Sequence, residues 1–218
     1  MTHYEELKDL HRSIRHTFPN DLSVRIHRAL SWLHRAEMEE NDSDASFIFH
    51  WISFNAAYAG NFAEQPQQSE FHALFSFFEK IVENDKDRLV YNLIWQRFSQ
   101  EIKGVLDNKF IFSSYWRFSD DPDDLQWENS FAAAKTKANY ALASQDTCTI
   151  LSILFSRVYV LRNQIFHGNA TWNSSLNRRQ LIDCEKILGA LLPVLIRIMM
   201  DNPTDDWGSI AYPVQTNQ

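Results

Sequence analysis

Arg162, Asn163 and His167 place a permanent cation, an amide and a titratable imidazole within six consecutive residues, Arg-Asn-Gln-Ile-Phe-His. The guanidinium offers a planar fork of donors that matches phosphate oxygens and keeps its charge near neutrality. The imidazole takes or gives a proton near neutral pH. Together they form a minimal kit for cleaving RNA without a metal. His167 would take the proton of a ribose 2′-hydroxyl or give one to the leaving 5′-oxygen, while Arg162 stabilises charge on phosphorus. One imidazole does not readily serve both ends of an in-line displacement. A symmetric dimer that brings two copies of the segment together would supply the second His and the second Arg. A purely structural reading fits the same spacing: Arg162 caps carbonyls at a helix C-terminus and His167 interacts with the helix dipole.

The element that positions these residues is a long apolar helix over 147–166, capped by Asp146 and marked by Ile150, Leu151, Leu154, Phe155, Val158 and Leu161. On a continuous helix, residues five positions apart point about 140° away from each other. Arg162 and His167 can therefore face one phosphate only if the helix ends near Phe166 or if the site is shared across a dimer. Gly168 is where a helix stop is expected.

The segment Arg162-Asn163-Gln164-Ile165-Phe166-His167, with Tyr159-Val160-Leu161 before it and Gly168-Asn169-Ala170-Thr171-Trp172 after it, resembles the Arg-polar-x3-His signature of the HEPN (higher eukaryotes and prokaryotes nucleotide-binding) superfamily. The specific likeness covers about fifteen residues; 20–62 and 147–201 fit as helical pattern only. The resemblance implies an α-helical bundle, a homodimer and a composite, metal-independent endoribonuclease site acting on single-stranded RNA. It also implies a toxin or defence role, with an antitoxin or regulatory protein as partner. The alternative it carries is a catalytically silent module that binds RNA, a nucleotide or a protein. Carried over by position, Arg162 and His167 would be catalytic, and Asn163 would orient the His or bond the phosphate.

Around the motif, Arg157, Arg162, Arg178, Arg179 and Lys186 outnumber Asp183 and Glu185. Arg157, Arg178 and Arg179 are candidate RNA-binding residues, with a solvated helix face as the other reading of Arg178 and Arg179. Trp172 could stack on a base or pack on its own bundle. His50, Asn55 and Tyr58 are polar exceptions on a core helix and read as satisfied interior groups. His27 and His34 share a helix face without a carboxylate beside them, and the acidic stretch Asp120–Asp124 lacks calcium-loop spacing. No metal and no cofactor are expected.

A formal charge of −7 excludes a generally basic nucleic-acid binder, so any RNA must be gripped locally. Only five Gly and six Pro argue for helices over a sandwich or barrel, and 16 Phe supply a sizeable core. Cys148 and Cys184 fit no ligand spacing and read as two buried thiols in a reducing compartment. With no apolar N-terminal region and no spanning run, a cytoplasmic protein with no membrane association is expected.

The expected fold is all-α: a HEPN-like bundle with additional middle helices. Helices are predicted over 4–17, 22–40, 45–62, 69–83, 86–106, 125–144, 147–166 and 176–201. Asn20 or Asp21, Ser43 or Asp44, and Ser174 or Ser175 are the expected N-caps, Pro193 should kink the last helix, and 110–118 stays open between a strand and a short helix. Residues 1–201 form one domain in which 64–125 is a candidate helical insertion, and 202–218 form a loosely held tail.

Overall fold

A computed structural model describes residues 3–60, 70–118, 126–210 and 212. Among them there are ten α-helices and no strand, so the fold is all-α. The helices are α1 (His3–Ile14), α2 (Asn20–Glu37), α3 (Ser43–Tyr58), α4 (Glu70–Asn84), α5 (Leu89–Asn92), α6 (Ser99–Leu106), α7 (Ser113–Phe118), α8 (Gln126–Ser144), α9 (Thr147–Phe166) and α10 (Arg178–Asp201). The acidic stretch at 119–124, the loop around Pro66 and the last residues of the tail lie outside the described residues.

The helix ends follow local chemistry. Asp42, rather than Ser43 or Asp44, caps α3: its Oδ1 accepts the backbone N–H groups of Asp44 and Ala45, both at 3.0 Å. Asp146 caps α9 as predicted, accepting the Thr149 N–H at 3.0 Å. Pro19 holds the N-cap position of α2, ahead of Asn20 and Asp21, and no side chain caps that end. The helix predicted over 86–106 is broken. Between α5 and α6 lies a π turn, Leu93–Arg97, closed by the Phe98 N–H on the Leu93 carbonyl at 2.9 Å. Val90, Ile94, Phe98 and Ile102 are all buried at four-residue spacing. A regular helix turns about 40° past a full circle every four residues, and the wider turn takes up part of that drift. Segment 110–118 resolves into a 3₁₀ turn and α7, without a strand. Helix α10 starts at Arg178, after Asn177 at φ 55°, and runs through a buried Pro193.

Helix α9 is central. Its Phe155 ring lies 4.3 Å from Phe54 of α3 and 4.8 Å from Phe78 of α4, centroid to centroid. Helices α2, α3 and α10 pack extensively on one another, and α4 and α6 lie against both α9 and α10. Phe78, Ile81, Ile94, Ile102 and Val105 from the candidate insertion are buried in the same core as α3 and α9. At the outer side, α8 lies along α9 and carries α7.

Much of the predicted loose tail is fastened. Arg25 of α2 is fully buried and donates from Nη1 to the carbonyls of Ala57 (2.9 Å) and Ala59 (2.8 Å). Its Nη2 donates to the carbonyls of Gly208 (3.2 Å) and Ser209 (3.0 Å). Burial pushes the guanidinium pKa down to about 10, opposed by the nearby Asp21 carboxylate. Four carbonyls stand in for the lost water, including those at the electronegative end of α3. Trp207 completes the strap: it is buried, and its indole N–H donates to the Asn202 carbonyl at 2.9 Å. Replacing Arg25 with Met should cost about 3 kcal/mol, because the carbonyls lose a charged donor. Ending the chain after Asp206 should cost a comparable amount. Urea unfolding measures both, and losses below about 0.5 kcal/mol, the range of ordinary surface changes, would show that the strap holds nothing.

Candidate functional site

The last turn of α9 emerges from the core exactly where the motif begins to be polar: Leu161 is buried, Arg162 to Ile165 are half-buried, and Phe166 to Asn169 are exposed. Gly168, at φ 70°, ends the helix, and the stop is built as a reciprocal pair of backbone bonds. The Asn169 N–H reaches the Gln164 carbonyl at 2.9 Å and the Gly168 N–H reaches that of Ile165 at 3.1 Å. His167 is the C-cap, at φ −90° and ψ 9°, and its exposed ring has no hydrogen-bond partner among the described residues.

The helix therefore stays regular through Phe166, and Arg162 and His167 are not brought together. Arg162 donates from Nη1 to Asn163 Oδ1 at 2.8 Å, and its guanidinium carbon lies 4.2 Å from the Phe166 ring centroid. Its Nε is enclosed without a partner. Asn163 and His167 line a hollow of about 670 Å³ from whose lining Arg162 is absent. Trp116, Tyr159, Leu176 and Leu181 give that hollow apolar walls, while Asn163, Gln164 and Asn177 bring amides to it.

The loop after the motif is strung between α9 and the first turn of α3. Trp172 donates its indole N–H to Asp42 Oδ2 at 2.9 Å, yet the residue is 74% exposed, so its ring faces are left open. Arg178 pairs with Asp44. Asn173 and Asn177 take the left-handed conformation, which Asn tolerates better than most residues. On the other wall, Gln164 donates to the Phe110 carbonyl at 2.7 Å and accepts from Asn177 at 3.4 Å. The exposed Trp116 ring is held by its N–H on that same Phe110 carbonyl at 2.7 Å.

The basic cluster expected around the motif is dispersed. Arg157 is 3% exposed, with its guanidinium carbon 4.3 Å from the Phe112 ring centroid, and burial pushes its pKa down to about 10. It is a packed interior cation and no phosphate contact. Arg178 is engaged by Asp44, and Arg179, with its side chain 87% exposed, lies 3.7 Å from Asp183. Cys184 is buried and Cys148 half-buried; both are free, and burial pushes the Cys148 thiol up to about 12, far from a reactive thiolate. Sequence reading missed Trp116 and Gln164, which carry no pattern beyond their types. Asp44 was legible only as a candidate helix cap and Asp42 only as part of the turn before it, since their task at the loop depends on where the loop folds back.

Comparison with protein families, curated proteins and solved structures gives no match. Among the described residues, no helix is long and apolar enough to cross a membrane.

The Asp42 carboxyl is held below the usual range, mainly by the Ala45 backbone N–H and further by Trp172, Asp44 and Arg178, against opposing desolvation. A carboxyl with a lowered folded pKa adds stability above its unfolded value of about 3.9, lost as pH falls through the folded value. Below about pH 4 the indole N–H resonance of Trp172, assigned by its absence from Trp172→Phe, should move as the anchor protonates. Asp42→Asn keeps the cap and should abolish that movement; an unchanged titration in the Asn variant would rule out Asp42 as the anchor.

Proposed function

We propose that the protein is a metal-independent endoribonuclease of HEPN type. It cuts single-stranded RNA by attack of the 2′-hydroxyl, at a site completed by a second copy of the chain. The supporting observation is the division of the motif. Asn163 and His167 open onto a hollow of about 670 Å³, large enough for a nucleotide, while Arg162 lies outside it. A two-fold partner that places its own motif against this one would bring a guanidinium to the imidazole that a single chain keeps from it. The exposed apolar side chains beside the motif, Phe166 (44%), Trp172 (74%) and Leu176 (80%), fit both a partner's surface and the unstacked bases of a single strand.

In this mechanism one His167 accepts the 2′-proton as the 2′-oxygen attacks phosphorus. The second gives a proton to the departing 5′-oxygen, leaving a 2′,3′-cyclic phosphate and a 5′-hydroxyl. Arg162 balances charge on the non-bridging oxygens. Asn163, in contact with the guanidinium, holds it in place. A role of toxin or defence type, restrained by a protein partner, is what the resemblance adds to this reading.

One observation favours a silent binding module instead: the Arg162 fork is already occupied by Asn163 and backed by Phe166. The two readings separate in one assay on mixed-sequence single-stranded RNA in excess EDTA. An active site of this kind gives cyclic-phosphate ends, and His167→Ala or Arg162→Ala should lower the rate by about 100-fold or more with circular dichroism unchanged. Trp172→Ala should weaken RNA binding by about 1–3 kcal/mol. RNA that is retarded in a gel but never cut selects the binding module, and a strict monomer by light scattering removes the composite site.

A further inference from the structure

A second polar hollow, of about 370 Å³, lies between the end of α2, the first turns of α3 and the middle of α10. Its lining includes Glu37, Glu40, Ser46, His50, Glu185 and Gly189. His50 is 4% exposed, and the hydrogen bonds around it determine which of its nitrogens carries the proton. Ser46 Oγ donates its single proton to Glu185 Oε1 at 2.8 Å. In the 3.3 Å contact between Ser46 Oγ and His50 Nδ1 the ring must then be the donor. Burial pushes the His50 pKa down to about 4, so near neutrality the ring is uncharged and Nε2 is left as a bare acceptor. Nε2 has no partner among the described residues. It faces Gly189, where an added Cβ would lie 3.4 Å from Nε2 and 3.2 Å from Cε1.

The other groups are acceptors too. Glu37 takes the Tyr4 backbone N–H on Oε2 at 3.3 Å, but its Oε1 is enclosed without a hydrogen bond, the exposed His3 ring lying 3.4 Å away. Glu40 has no ion pair among the described residues, whereas Glu39 is taken by Arg35. Among the described residues no three His, Cys, Asp or Glu side chains converge closely enough to hold a metal ion. The hollow thus holds several acceptors, more negative than positive charge, the buried and unbonded Oε1 of Glu37, and the Nε2 of a buried histidine that no protein donor satisfies. A buried acceptor left unpaired, as Glu37 Oε1 is, is costly, and a cation with several N–H groups is the ligand that satisfies it together with the imidazole nitrogen.

We propose that this hollow binds a protonated amine, with its N–H groups directed at His50 Nε2 and the carboxylates of Glu37 and Glu185. The amine is either a free diamine or the side chain of a lysine in a polypeptide, since both present the same ammonium. Gly189 keeps the floor open. Any side chain there would cover the imidazole nitrogen, even though Ala favours a helix over Gly by about 1 kcal/mol.

The Gly189 backbone amide is a convenient reporter, because the chain has only five glycines. Titrating the full chain with 1,4-diaminobutane, and separately with Nα-acetyl-lysine methylamide, should shift that amide saturably. Potassium chloride at matched ionic strength should not, and neither should tetramethylammonium, which carries the charge without the donors. Glu185→Gln should weaken binding by about tenfold or more with the melting temperature nearly unchanged. Gly189→Ala, followed through the His50 ring resonances in place of the glycine amide, should weaken it similarly by covering Nε2. Tighter binding of the diamine identifies a free amine as the natural ligand, and tighter binding of the lysine compound identifies a basic polypeptide. Shifts no larger than those from salt, equal shifts from tetramethylammonium, or full binding by both variants would overturn the assignment.

Discussion

Phe155 is the point at which three helices are held to one another, its ring packed between Phe54 of α3 and Phe78 of α4. Aromatic pairs of this kind add about 0.5–1.5 kcal/mol each beyond the area they bury. Their larger effect is geometric, because tightly packed interiors do not let one ring move without its neighbours. With Phe155 pinned, the axis and rotation of α9 are set, and so is the direction in which each residue of its last turn leaves the core. Leu161 goes inward, Asn163 and His167 turn to the hollow, and Arg162 turns elsewhere. The chemistry of the motif is decided by that rotation as much as by residue identity.

The site also shows how side chains with no reactive task fix those that could have one. Gln164 ties α9 to the turn before α7 and to the start of α10, and Asp42 and Asp44 tie the first turn of α3 to the loop. The loop is thus held by polar anchors, and its one aromatic ring, Trp172, is tethered through its N–H with its faces left exposed. This arrangement gives orientation to groups that solvent would otherwise leave to wander, and orientation is a large part of what a catalytic or binding surface needs.

Helical periodicity carried most of the architecture. The span 147–166, the Asp146 cap and the Gly168 stop were all readable, because each rests on local backbone chemistry that tertiary context reinforced. The break in 86–106 was not, since the four-residue spacing of its buried side chains also fits a short regular helix. The fastening of Trp207–Ser209 was invisible for a related reason. Arg25 sits in an amphipathic pattern where an arginine ordinarily faces water, and only the return of the distant segment makes its burial tolerable. In the site, the motif was legible as chemistry, but the fate of each cation was not. Arg157 looked like Arg178 and Arg179 in sequence, yet it lies under Phe112 while they do not. His50 was read as a satisfied interior polar group. One of its nitrogens is satisfied, and the partner assignments that leave the other bare require coordinates.

The Arg25 strap has a consequence for the making of the protein. Helices α2 and α3 leave the ribosome well before two of the four carbonyls that receive the guanidinium, which lie 183 and 184 positions downstream of Arg25. At about 5–20 residues per second, translation leaves that cation half-solvated for on the order of ten seconds or longer. Its dehydration therefore waits until the segment around Gly208 and Ser209 has been made. The shell of carbonyls around Arg25, between α2, α3 and the distant strap, is thus complete only when that segment returns.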